Sequence, residues 1–260
     1  MDRLSVLSVK AALGPWAEKT GLRTEAQVDS TNLRLKEEAR AGLIRPPYLL
    51  AAGAQTAGRG RLGRSFVSPP GGLYMSLLIP TPEDFDPGKI TILSAVAVCR
   101  AVEEETPLRP TIKWVNDIFV GGRKVSGILA EKIDQGVIVG IGVNVRTPPG
   151  GFPPEAGLAG ALDAEADPAR LAGRIAFHIL ESTAHPGDPA ILDAYRQRMF
   201  LTGQTVRFTQ NGREREGLVV GVSDDGGLLV TVNGLTETLR CGEVTIGSQS
   251  LDGLEYRQPQ

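Results

Sequence analysis

A chain of 260 residues, 41% hydrophobic and 22% charged, can bury a sizeable core and has room for one large domain and a small one. Its 30 acidic against 28 basic residues, net charge −2, exclude the broadly basic footprint of a general nucleic-acid binder, so local arginine clusters carry meaning. Two distant cysteines without CxxC spacing, an amino terminus without a signal-peptide run, and the lack of any stretch of about 18 uncharged apolar residues exclude a disulfide scaffold and a membrane-spanning helix and point to the cytoplasm.

Leu4, Leu7, Ala11 and Ala12 mark a short first helix closed by Gly14-Pro15, and a strand follows. DSTNLRLKEEARAG, 29 to 42, predicts a helix with an Asp/Ser/Thr start and Gly42 at its end. PYLLAAGAQ predicts a strand, the arginine and glycine run GRGRLGR a loop, and GLYMSLLIP, 72 to 80, another strand. Residues 89 to 105 carry apolar side chains at helical spacing. TIKWVNDIFV, KVSGILAEKI and GVIVGIGVNV, divided by Gly121-Gly122-Arg123 and Asp134-Gln135, predict an antiparallel meander of three strands. A Pro- and Gly-rich loop covers 147 to 160. Helices starting at Asp167-Pro168 fill 168 to 199, broken near His185-Pro186-Gly187. From Gly203 to Ile246, five short strands punctuated by Asn211-Gly212, Asp225-Gly226-Gly227 and Asn233-Gly234 have the rhythm of a small barrel, which places a domain boundary near residue 200.

Three stretches bear on chemistry. In GRGRLGR, Gly58, Gly60 and Gly63 let backbone N–H groups approach anionic oxygens, and Arg59, Arg61 and Arg64 offer forked donors suited to phosphate and carboxylate. A plain basic surface loop is the alternative; neither a Walker A loop nor a dinucleotide-binding GxGxxG is present. In TIKWVND, Lys113 interrupts an apolar strand, and a buried lysine needs a counter-charge or a ligand. Asn116-Asp117 beside it equally suits a bend satisfied by its own side chains. Ser30-Thr31-Asn32 caps a helix, and it could also present hydroxyl and amide groups to a polar ligand. His178 and His185 lack partners at zinc spacing and read as structural or surface residues.

Taken in order, Ser30-Thr31-Asn32, the run from Gln55 to Arg64, Lys113-Trp114-Val115-Asn116-Asp117, the run from Lys124 to Glu131, and Gly140-Ile141-Gly142-Val143-Asn144-Val145 resemble the biotin–protein ligases from about residue 25 to residue 247. Val115 departs from the proline usual in that family, which implies a slightly different bend there. The resemblance implies an α+β fold: a class II aminoacyl-tRNA synthetase-like biotinyl/lipoyl ligase domain at 1–200, followed by a small SH3-like β-barrel domain at 201–260. It implies an ATP-dependent ligase that joins biotin and MgATP into biotinoyl-5′-AMP and then transfers biotin to a lysine of a biotin carboxyl carrier protein.

By matching positions, the resemblance places Ser30, Thr31, Asn32, Gln55, Arg59, Gly60, Arg61 and Lys113 around biotin. It places Arg59, Arg61, Phe66, Asn116 and Asn144 around ATP, makes Lys113, Arg59 and Arg61 the catalytic set, and offers Asp117 as a contact for Mg²⁺. The loop is expected to order around the adenylate and shield it from water. Bifunctional relatives carry a DNA-binding winged helix-turn-helix, for which the 29 residues before Ser30 are too few, so the expectation is a ligase without operator or membrane binding; a homodimer is left open. A lipoate or octanoate transferase is disfavoured, because its RRxSGGG-type stretch is missing. A non-catalytic binding module that kept the pocket is disfavoured by the presence of Lys113 with both arginines.

Overall fold

The structure is a computed structural model that describes residues 4–80, 87–185 and 187–246. Pro186 of the expected helix break and the end of the expected 201–260 domain, from 247 onward, lie outside the described residues.

Helix α1 (Val6–Leu13) is capped by Ser5, whose hydroxyl accepts from Ser8 N, and closes at Gly14, where φ is 56°. Strand β1 (Gly21–Glu25) leads into α2 (Thr31–Arg40), which crosses over to β2 (Tyr48–Ala52) lying parallel to β1. The chain then forms β3 (Leu73–Ile79), α3 (Pro87–Glu105), β4 (Thr111–Lys113), β5 (Asp117–Val120), β6 (Arg123–Ile133) and β7 (Gly136–Val143). These strands make a mixed seven-stranded sheet in the order β1-β2-β3-β7-β6-β5-β4, antiparallel except for its first pair. Helices α4 (Pro168–Ala184) and α5 (Pro189–Arg198) each start on an aspartate cap, Asp167 and Asp188, followed by proline.

Period-two alternation divides the residues of the central strands between the two faces. Leu73, Met75 and Leu77 of β3 and Val137, Val139, Ile141 and Val143 of β7 join the large core with α3 and α4. The intervening positions face the other way: Leu78 and Ile138 pack under Leu35 and Ala39 of α2, while Tyr74, Ser76, Gly140 and Gly142 continue that face beyond the α2 cluster. Because both faces of β3 are buried, its sequence reads as an apolar run interrupted only by Ser76.

The meander has four strands rather than three. TIKWVNDIFV turns back on itself at 114–116, so Lys113 lies opposite Asp117 in the β4–β5 register. Buried partners distant in sequence hold that turn: Trp114 Nε1 donates to the Gly226 carbonyl at 3.0 Å and Tyr195 Oη donates to the Val115 carbonyl at 3.1 Å. Asn116 Nδ2 donates to the Ile128 carbonyl at 3.1 Å.

A second, five-stranded antiparallel sheet comprises β8 (Thr205–Gln210), β9 (Arg213–Val222), β10 (Leu228–Val232), β11 (Leu235–Leu239) and β12 (Val244–Ile246), ordered β11-β10-β9-β8-β12, and Gly226 lies in its β9–β10 turn. Two of its hairpins turn on Asn211-Gly212 and Asn233-Gly234, all four residues at positive φ, as two-residue primed turns require. The Trp114 bond therefore ties the turn of the large sheet to the small one. Trp114→Phe leaves the Gly226 carbonyl buried without its donor, and about 1–3 kcal/mol of stability should be lost, read from the urea unfolding midpoint. No helix among the described residues is long and apolar enough to cross a membrane.

Candidate functional site

A cavity of about 340 Å³ opens on the α2 face of the large sheet and is roofed by residues 242–245, which lead into and begin β12 of the small one. One end is polar. Ser30 caps α2 and accepts from Leu33 N, which points Thr31 and Asn32 into the cavity wall. Thr31 N donates to Gln55 Oε1 at 2.9 Å; Gln55 Nε2 donates to Ser68 Oγ at 3.0 Å, and Ser68 Oγ donates to the Phe66 carbonyl at 2.8 Å. Asn32 Nδ2 donates to Glu131 Oε2 at 3.0 Å, and Lys36 Nζ donates to Glu131 Oε1 at the same distance. Burial alone would push the Glu131 carboxyl up, yet the hydrogen bonds from Lys36 and Asn32 and the charges of Lys36 and Arg59 hold it below the usual carboxylate range.

The floor is made of glycine. Gly140 and Gly142 on β7 leave the sheet bare where Asn32 and the Phe66 ring lie against it: a Cβ on Gly140 would stand 2.2 Å from Asn32 Oδ1, and one on Gly142 2.4 Å from Phe66 Cε1. Tyr74 meets the Phe66 ring edge-on at 6.4 Å.

The other end is cationic. Lys113 is half-buried; desolvation pulls its ammonium pKa below the ordinary lysine value, with Lys124 and Arg64 adding to the fall and Asp117 and Glu243 opposing it. Arg61 Nη1 donates to Asn116 Oδ1 at 2.8 Å, Arg64 pairs with Glu243, the residue before β12, at 2.7 Å, and Lys124 pairs with Asp117 at 2.7 Å. The arginine loop folds back on itself, Gly60 N donating to Arg64 O and Phe66 N to Gly58 O.

Ser30, Thr31, Asn32, Gln55, Arg59, Gly60, Arg61, Phe66, Lys113, Asn116 and Asp117 thus share one cavity. Asn144 does not line it: the side chain is buried and Nδ2 donates to the Gly160 carbonyl at 2.9 Å. Arg64, offered as an anion donor but not assigned to either substrate, lines the cavity too, as do Lys124 and Glu243, which had no role in the sequence reading. Lys124 sits inside a quoted motif and could have been found there; nothing local marks Glu243. His178 lies elsewhere, paired with Glu104 at 2.9 Å. Chemically, the cavity can hold a polar, uncharged head at one end and gather anions at the other.

Residues 24–147 match the Biotin/lipoate A/B protein ligase family, and residues 201–247 match the Biotin protein ligase C terminal domain. The chain is similar to the biotin–[acetyl-CoA-carboxylase] ligase of Mycobacterium tuberculosis, 30% identical over 84% of this chain and 86% of the relative. It is 32% identical to the bifunctional ligase/repressor BirA of Bacillus subtilis over 76% of this chain, a match that spans 66% of that longer protein. Among solved structures, biotin protein ligase from Aquifex aeolicus in complex with biotin and ATP superposes with a TM-score of 0.74 at 29% identity, covering 87% of this chain and 98% of that one.

Proposed function

The chain belongs to the biotin/lipoate A/B protein ligase family, and from that premise we propose that it is a biotin–protein ligase. In the first step the biotin carboxylate attacks the α-phosphorus of MgATP, giving biotinoyl-5′-AMP and releasing pyrophosphate. In the second, the ε-amine of a lysine on a biotin carboxyl carrier protein attacks the acyl carbon of the mixed anhydride, AMP leaves, and the amine sheds its proton.

The observation that carries this reading is the two-ended cavity, with Thr31, Asn32 and Gln55 at one end and Lys113, Arg61, Arg64 and Lys124 at the other, Arg59 lining it within reach of the Glu131 charge. A carboxylate and a triphosphate repel one another, and at about 4 Å each unit charge that offsets the repulsion contributes about 4 kcal/mol at an effective dielectric constant of about 20. We assign biotin to Ser30, Thr31, Asn32, Gln55, Arg59, Gly60, Arg61 and Lys113, and the nucleotide to Arg59, Arg61, Phe66 and Asn116. Asn144, placed around ATP by the resemblance, lies outside the lining and holds the Gly160 carbonyl instead. Mg²⁺ enters with the nucleotide: Asp117 offers one carboxylate, already 2.7 Å from Lys124, and the described residues hold no group of three acidic, histidine or cysteine side chains fit to keep a resident ion.

We place the catalytic unit at 1–200 and the SH3-like unit at 201–260, the latter closing the nucleotide end through Glu243. The compartment proposed is the cytoplasm, where ATP and carboxylase carriers occur; Cys99 and Cys241 are both unpaired thiols.

The deciding experiment incubates the protein with a biotin carboxyl carrier domain, biotin and MgATP and weighs the carrier by mass spectrometry. One biotinyl group on a single lysine is expected, dependent on ATP. An unmodified carrier overturns the reading, and lipoyl or octanoyl transfer under the matching conditions would assign the cavity to the other branch of the family.

A further inference from the structure

We propose that Ser76, a strand residue outside the cavity lining, is a positioning residue that sets the hydrogen-bonding polarity of the cavity's uncharged end. This inference rests on the biotin reading of that end. Ser76 is completely buried on β3, directly opposite Gly140 in the β3–β7 register, and its hydroxyl touches two lining residues at once: Thr31 Oγ1 at 2.7 Å and Asn32 Oδ1 at 2.5 Å.

A proton count, taken with the contact lengths, sets the directions. Three oxygen–oxygen contacts run in series: Gln55 Oε1 to Thr31 Oγ1 at 3.1 Å, Thr31 Oγ1 to Ser76 Oγ, and Ser76 Oγ to Asn32 Oδ1. Only two hydroxyl protons are available, since a serine and a threonine carry one each and an amide oxygen carries none. The Asn32 amide is oriented by its nitrogen, which faces two acceptors, Glu131 Oε2 and the Leu129 carbonyl. The 2.5 Å contact therefore takes the Ser76 proton, and the 2.7 Å contact takes the Thr31 proton. The longest contact is left bare, with Gln55 Oε1 satisfied instead by Thr31 N at 2.9 Å.

The consequence is chemical. Ser76 draws the Thr31 proton away from the cavity, so Thr31 Oγ1 and Gln55 Oε1 converge there as acceptors and the end accepts a ligand N–H or O–H. Without Ser76 the Thr31 hydroxyl turns to Gln55, the bare pair disappears, and Asn32 Oδ1 loses the partner that holds its amide plane.

Isothermal titration of the full chain with biotin and, separately, with MgATP tests this. Ser76→Ala should weaken biotin binding about tenfold or more and leave MgATP affinity unchanged. Ser76→Cys, nearly isosteric but a weaker donor, should fall between it and the parent chain. Ser94→Ala is the control: Ser94 is equally buried, on α3, with no hydrogen-bond partner among the described residues, and its loss should change neither affinity. Parental biotin affinity in Ser76→Ala, or equal losses for biotin and MgATP, overturns the inference. Absence of biotin binding in the parent chain overturns the biotin reading and this inference with it. Should Ser76→Ala not fold, the same comparison is read from Ser76→Cys.

Discussion

Lys113→Ala is expected to slow biotinoyl-adenylate formation about a thousandfold while the protein stays folded. The lysine ends β4, half-buried, where the proposed carboxylate and α-phosphate meet. Negative charge builds on the phosphoryl oxygens as the new bond forms, and removing one fixed cation about 4 Å away forfeits about 4 kcal/mol, which is on the order of a thousandfold in rate. Lys113→Arg keeps the charge but not the point geometry of an ammonium and should recover only part of the rate.

The same residue makes the reaction pH-dependent, with a definite sign. The protonated form is the active one, and desolvation lowers its pKa from the ordinary 10.5. Rising pH therefore removes activity earlier than an exposed lysine would, and bound nucleotide, being anionic, should move that alkaline limb upward. Biotin-dependent exchange of labelled pyrophosphate into ATP reads both effects. A parental exchange rate in Lys113→Ala would sink the assigned role.

The portions of this molecule that local chemistry controls could be read in advance. Asp167-Pro168 starts a helix because a short carboxylate caps free N–H groups and proline lacks one, and Asn211-Gly212 turns a hairpin because both residues tolerate positive φ. Arg59, Arg61 and Lys113 were visible because cations amid glycines or inside an apolar strand demand a partner. Tertiary contacts controlled the remainder. A bend at Asn116-Asp117 was offered by the sequence, but that it would divide 111–120 into two paired strands was not, because the groups that hold the turn at 114–116, Gly226 and Tyr195, lie 112 and 80 positions away. Glu243, the residue before β12, closes the cavity with no sequence mark of its task. Ser76 passed as one polar residue in a buried strand, and its significance appears only when β3 is set beside α2 and β7.

Gly140→Ala should separate the two ends of the cavity. Its Cβ would stand 2.2 Å from Asn32 Oδ1, 2.7 Å from Cγ and 2.9 Å from Nδ2, so the whole amide obstructs it. Neither side yields easily. Strand β7 is clamped between β3 and β6 in the middle of the sheet, and Asn32 is nearly fully buried and bonded to Ser76 and Glu131. The amide must leave its place: losing its two internal hydrogen bonds, with the overpacking, should cost about 1–3 kcal/mol of stability, and the one hydrogen bond the displaced Asn32 no longer offers biotin predicts affinity lower by about tenfold. MgATP affinity should hold, because the nucleotide end rests on Gly142. Gly142→Ala drives a Cβ to 2.4 Å from the Phe66 ring and should reverse the pattern, weakening MgATP and sparing biotin. Titrating both variants with both substrates checks the assignment: losses that do not sort by substrate would mean that the glycine floor does not divide biotin from nucleotide, and the placement of Asn32 and Phe66 at opposite ends of one reaction would fall with it.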